Sequence, residues 1–165
     1  MKVSKTKELL TLIEKNSRYD IDTLAGMLNL SSADVKKLIE ELEEKKIIVK
    51  YPTLINWQKL DENGSVMAMI DVKVTPKRDV GFDNVAERIY KFPEVKSVYL
   101  MSGAYDLSVT VEGKTMKEVA HFVSQKLATL DSIVSTTTHF LLKKYKHDGI
   151  ILEEGDDDKR MMVTP

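Results

Sequence analysis

The sequence predicts an α+β chain in two parts, an N-terminal unit of three helices and a C-terminal βαββαβ unit. Three observations predict it. Apolar residues recur at helical spacing through the first fifty positions, they alternate as strand residues do in later segments, and the turn residues Glu62-Asn63-Gly64 separate the two regimes. The expected boundaries are a helical domain over 1–52, a linker over 53–64, a sheet domain over 65–146 and a tail over 147–165.

Leu9, Leu10, Leu12 and Ile13 give the first helix an apolar stripe, and Asn16-Ser17 with Arg18 is expected to end it. Ile21, Leu24, Ala25 and Leu28 fall at i, i+3, i+4 and i+7 of a second helix, with Asp20 of the right type to cap it. Val35, Leu38, Ile39 and Leu42 repeat that spacing in a third helix, where Ser31 and Asp34 form a variant capping box. Only Asn29, Leu30 and Ser31 separate the two helices, too few for a flexible linker. After Lys46, the β-branched run Ile47-Ile48-Val49 followed by Tyr51-Pro52 predicts a short strand leaving the helices, a winged-helix-like ending.

Val66, Ala68, Ile70, Val72 and Val74 alternate before Pro76 stops a strand. Phe82, Val85, Ala86, Ile89 and Tyr90 make one face of a helix that Phe92-Pro93 closes. Strands follow over 95–101 and 107–111. Thr115 and Glu118 form a capping box for a helix with Met116, Val119, Ala120, Val123, Leu127 and Leu130 inward, and a last strand runs from Ile133 to about Leu142. The order βαββαβ is the ferredoxin-like unit, with two helices on one face of an antiparallel sheet. Its other face is left bare, and pairing with a second copy is the economical way to cover it. In the tail, Asp156-Asp157-Asp158 reads as solvated, while Ile150-Ile151-Leu152 and Met161-Met162-Val163 could dock on a neighbour.

Composition narrows the function. With 25 Lys+Arg against 26 Asp+Glu, no global charge draws the chain to DNA or to anionic membrane, so any such contact must be local. There is no cysteine, which excludes disulfides, thiolate zinc sites and thiol nucleophiles. The charged start MKVSKTKELLTL is no secretory signal, and no apolar run reaches the ~18 residues of a membrane span, so a cytoplasmic protein is expected. His121, His139 and His147 have no metal spacing, and neither a phosphate loop nor a nucleophile elbow is present, so no metal, cofactor or catalytic residue is assigned.

The abrupt helix pair is the pattern of a helix-turn-helix, whose second helix enters the DNA major groove by its N-terminus. Short residues there let the backbone approach base edges, and Ser31, Ser32 and Ala33 qualify. Lys36 and Lys37, one turn on, can reach phosphates or bases. The same spacing also serves an ordinary three-helix core whose solvent face carries two lysines. Glu40, Glu41, Glu43 and Glu44 repel phosphates, so only the first half of the helix can lie near a duplex, and several copies acting together would be needed.

DTLAGMLNLSSADVKKLIEELEEKKII, FPEVKSVYLMSGAYDLSVTVEG and LDSIVSTTTHFLLKK together resemble the Lrp/AsnC, or feast/famine, transcription regulators over about residues 4–146. The resemblance implies a homodimer built through the ferredoxin-like sheets, often assembled into an octamer ring. It also implies double-stranded DNA as partner and small-molecule effectors, commonly amino acids. Carried over, effector contacts fall on Ser102, Gly103, Tyr105 and Asp106 of the Gly-x-Tyr-Asp turn and on Thr136 and Thr138 of the last strand. Gly103 would allow close approach, Asp106 could pair an α-ammonium, and hydroxyls and backbone N–H groups could hold a carboxylate. The same turn also reads as a plain hairpin loop. Two departures stand out. Lys36-Lys37-Leu38 stands where the family usually has arginine, and Lys45-Lys46 replaces the glycine after the third helix, which predicts a different cap. The alternatives are an enzyme resembling the sirohaem decarboxylases, with His121 or His139 serving a tetrapyrrole, and an amino-acid sensor without DNA binding.

Overall fold

The computed structural model describes residues 2–60, 64–75 and 81–152, without the side chains of Lys2, Val3 and Gln58. Glu62-Asn63, Pro76, Asp156-Asp157-Asp158 and Met161-Met162-Val163 lie outside them. The chain divides between Ile55 and Asn56 into two compact units, inside the expected linker.

The first unit holds α1 (Lys2–Lys15), α2 (Ile21–Leu28) and α3 (Ser32–Glu44). Leu9, Leu24, Leu28, Val35, Leu42 and Ile48 are buried together, so the helical stripes do meet in one core. Asp20 caps α2 by accepting the Thr23 N–H at 2.7 Å, and Ser31 caps α3 by accepting the Asp34 N–H at 3.1 Å. Residues 47–50 join no strand ladder. Their β-branched side chains favour extended backbone, but a strand needs a neighbour to pair with, and the described residues supply none.

The exit from α3 differs from expectation in another way. Lys46 itself takes the left-handed conformation, φ 56°, which glycine would have filled. Its N–H donates to the Glu43 carbonyl at 3.0 Å, and the Ile47 N–H to the Leu42 carbonyl at 2.9 Å. This is the usual left-handed cap with a Cβ in it, a strain of about 1 kcal/mol. Lys46→Gly is therefore expected to stabilise the helical unit by roughly 0.5–1 kcal/mol, after the loss of a cation near the helix C-terminus. A urea melt followed by helical ellipticity checks it.

The second unit is a four-stranded antiparallel sheet of β1 (Val66–Val74), β2 (Val95–Leu100), β3 (Leu107–Gly113) and β4 (Ile133–Phe140), in the order β2-β3-β1-β4. Helices α4 (Asp83–Tyr90) and α5 (Met116–Phe122) connect them in the ferredoxin-like way. Ala68, Ile70, Val72 and Val74 of β1 and Leu107, Val109 and Val111 of β3 pack with Val85 and Ile89 of α4 and Val119 and Phe122 of α5. Tyr90, Met116 and Ala120, expected inward, are exposed. The inward face of α5 runs through Phe122 instead, because a π turn over Val123–Leu127 adds a residue. The Ala128 N–H reaches the Val123 carbonyl at 2.8 Å, so Phe122 and Leu127, five apart, share one face.

Beyond β4 the chain forms a small hairpin of β5 (Lys146–His147) and β6 (Ile150–Ile151), which runs across the expected start of the tail at 147. Asp148 (φ 45°) and Gly149 (φ 78°) make its two-residue turn, both left-handed as a type I′ turn requires.

Candidate functional site

The joint between α2 and α3 is tight because Asn29 adopts a left-handed conformation, φ 52° and ψ 51°. The Leu30 N–H then donates to the Ala25 carbonyl at 3.0 Å and the Asn29 N–H to the Gly26 carbonyl at 3.3 Å. One residue thus both closes α2 and turns the chain into the next cap. The Ser32 hydroxyl donates to Asp22 at 2.6 Å, fastening the first residue of α3 to the first turn of α2. Ser31 is equally committed, its hydroxyl donating to Asp34 at 2.6 Å. These two serines therefore set the angle between the helices, while their oxygens keep lone pairs for other donors.

Ala33, Lys36 and Lys37 are exposed on the face opposite buried Val35 and Leu42. Neither lysine has a carboxylate within 4.0 Å among the described residues, so both ammonium groups are open to an outside anion. The acidic end is partly occupied. Glu41 lies 3.9 Å from Lys45, and Glu43 accepts the Tyr51 hydroxyl at 2.7 Å. Desolvation, aided by Glu43, pushes the Tyr51 phenol up to about 12, so it stays a neutral donor.

In the second unit the connection from β2 to β3 closes with the Met101 N–H on the Asp106 carbonyl at 2.9 Å. Asp106 then holds on to β1 beside the irregularity at Lys73 and Val74. Its N–H donates to the Val72 carbonyl at 3.0 Å, while its carboxylate accepts from the Val74 N–H at 2.8 Å and from Lys73 at 3.1 Å. The Val74 N–H, with Lys73 adding to it, outweighs partial desolvation and holds this carboxyl below the usual range. Both oxygens are thus engaged, and a ligand ammonium here would share them with Lys73.

Tyr105 reaches β4, its hydroxyl 2.8 Å from the Thr137 hydroxyl. Thr137 lies opposite Asp71, whereas Thr136 and Thr138 lie opposite Val72 and Ile70. Strand alternation therefore puts Thr136 and Thr138 on the helix-covered pleat and Thr137 on the bare one. Thr137 and Lys73 are the residues that the sequence reading passed over. The parity of the Ser-Thr-Thr-Thr run against β1 is the signal that finds the first of them. Ser102, Gly103 and Ala104 are exposed, and the backbone N–H groups of 102–105 make no hydrogen bond among the described residues. Gly103 has no left-handed φ, and a Cβ built there meets nothing within 4 Å, so its value lies in open space rather than in an unusual backbone.

His139 lies on the bare pleat, 3.2 Å from Asp71, and His121 is exposed on α5. The two do not converge, and among the described residues no three His, Asp or Glu side chains could share a metal ion.

The chain thus joins a tightly turned helix pair to a ferredoxin-like unit with an open polar loop. The model of the Lrp/AsnC ligand binding domain matches residues 67–151. An uncharacterised HTH-type transcriptional regulator of Bacillus subtilis, YugG, is 60% identical over 161 residues, 98% of this chain and 97% of that one. The HTH-type regulator LrpA of Pyrococcus abyssi is 28% identical over 140 residues, 85% of this chain and 96% of that one. The chain belongs to the Lrp/AsnC family of transcriptional regulators.

Solved structures share its fold. Escherichia coli AsnC has a TM-score of 0.68 at 20% identity, over 89% of this chain and 96% of that one. A Neisseria meningitidis regulator, solved as a complex with L-Met, has a TM-score of 0.69 at 24% identity, over 87% and 91%. Among the described residues no helix is long and apolar enough to cross a membrane.

Proposed function

We propose that this cytoplasmic regulator binds double-stranded DNA through the first turns of α3 and responds to an amino acid held at the β2–β3 loop. Lys36 and Lys37 supply phosphate contacts, and Ala33 with the serines lets the helix backbone approach the bases. The observation that carries the DNA half is the pair of unpartnered lysines on the exposed side of a helix whose entry is fixed by Asn29, Ser31 and Ser32. For the effector, the free N–H groups of 102–105 suit a carboxylate, Ser102 and Tyr105 of the same loop carry hydroxyls, and the Tyr105 hydroxyl is bonded to Thr137. That the Neisseria relative is solved with L-Met supports an amino acid as the class.

The working form in this reading is a homodimer formed through the bare sheet face, with assembly to an octamer open to it. Met69 and Tyr99 are about half exposed on that face and gain from burial. Sedimentation equilibrium tests the dimer, and calorimetry with a panel of amino acids, methionine included, tests the effector.

Gly103→Val is expected to change folding stability by less than ~0.5 kcal/mol, since the site is exposed and open. The same substitution fills the space in front of the loop N–H groups and abolishes the heat of effector binding. Retained heat with the variant would place the ligand elsewhere.

A further inference from the structure

Besides Met67, Met69 and Tyr99, the bare pleat of the sheet carries charge at three places. Lys73 is paired with Asp106 at 3.1 Å, and Glu112 with Lys96 at 2.9 Å, with Lys144 also facing Glu112. Both carboxylates there are matched by ammonium groups. The third place is Asp71, on the inner strand β1, with Ser108 of β3 and Thr137 of β4 directly opposite it. Its Oδ2 lies 3.2 Å from His139 Nε2, and among the described residues no other ion pair or side-chain hydrogen bond reaches its carboxylate. Tyr99 and Tyr105, whose hydroxyl meets Thr137, complete the titratable groups on this side. The charge balance at Asp71 is therefore set by one imidazole.

We propose that Asp71 and His139 form a proton-taking centre of the face on which two copies pair, so that association tightens as pH falls from about 8 to about 6. This rests on the reading that the homodimer forms through that face. The His139 side chain is 58% exposed and that of Asp71 33%, so both have water to lose when a second copy covers them. A carboxylate taken out of water needs an opposite charge, and a neutral imidazole, although still a donor, supplies none. Imidazole is the side chain whose charge ordinarily changes between about pH 5 and 8. The paired state accordingly holds the proton more tightly than the separate chains do. Linkage then gives the sign, because an association that takes up protons is favoured by acid. One proton per copy sets the ceiling, about a hundredfold in the dimerisation constant per pH unit.

Sedimentation equilibrium of the full chain across this pH range tests it, on wild type, His139→Gln, Asp71→Asn and Tyr99→Glu, each first checked for native far-UV ellipticity. Wild type should lose ~10-fold or more in dimerisation constant between the acid and the alkaline end. His139→Gln keeps a donor for Asp71 without the charge, and should stay flat at the weak, alkaline level. Asp71→Asn leaves the imidazolium unmatched and should reverse the trend. His121 on α5 and His147 on β5 remain in every variant and serve as the internal control. Tyr99→Glu, on the same pleat but with β3 between it and Asp71, adds a buried charge and should weaken the dimer at every pH. A dimer that Tyr99→Glu disrupts, but whose constant ignores pH or varies equally in His139→Gln, would overturn the proton-taking centre and leave the bare-face dimer standing. A chain that stays monomeric at every pH, or a dimer indifferent to Tyr99→Glu, would remove the bare-face reading and this inference with it.

Discussion

Lys36→Ala combined with Lys37→Ala is expected to weaken binding to every duplex alike and to lower the slope of log K against log salt by up to ~2 per protomer. Each lysine that neutralises a phosphate releases about one condensed counterion. At about 0.15 M salt, losing two such contacts amounts to roughly a 30-fold drop in affinity. The loss should be uniform across sequences, because a lysine ammonium lacks the two-pronged geometry that distinguishes guanine. Fold should be untouched, since both side chains are exposed and the α3 cap lies at Ser31 and Asp34. A salt titration followed by fluorescence anisotropy reads both the slope and the affinity. A variant with an unchanged slope would mean that the phosphates are met elsewhere.

Ile70→Ala is expected to destabilise the ferredoxin-like unit by about 3 kcal/mol. Ile70 is 0% exposed and lies in β1, the strand flanked by both β3 and β4, opposite Val109 and Thr138. The side chain therefore sits where sheet and helices press on each other, and neighbours on three sides cannot close the gap left by truncation. The helical unit has its own core of Leu9, Leu28, Val35 and Leu42, so its transition should hardly move. Thermal unfolding of wild type and variant, followed by near-UV and far-UV ellipticity, should separate a lowered transition of the sheet unit from an unshifted one of the helices. Equal lowering of both would mean that the two units fold as one.

The α2 and α3 helices were legible because three devices agreed at each: an apolar period of 3.6, a capping side chain at Asp20 or Ser31, and a turn too short for anything but a direct joint. Strands β1 and β3 were legible from alternation, which burial follows closely, with Ala68, Ile70, Val72 and Val74 inside and Met69 outside. What escaped the sequence reading depends on backbone geometry that composition does not encode. The π turn in α5 shifted the inward face onto Phe122. Lys46 took a left-handed position that residue type argues against, because the cap around it supplies two hydrogen bonds in return. The run Ile47-Ile48-Val49 had strand propensity but no neighbour to pair with. Asp148-Gly149 is a strong turn signal that was read as part of a tail.

At the loop, the open residues Ser102 and Gly103 were legible, as was the polar character of Asp106. The side-chain facing of Thr136, Thr137 and Thr138 required the β1–β4 register, since shifting a strand by one residue exchanges its faces. The commitment of Asp106 to Val74 and Lys73 required long-range contacts that no local pattern shows.

That the start of α3 is the surface reading DNA is tested most directly by amide hydrogen exchange of the whole chain, with and without a selected duplex. Slowed exchange should concentrate in residues 31–37 and fade before Glu43. Protection that leaves this stretch untouched, and appears instead on the lysines around α5, would contradict it.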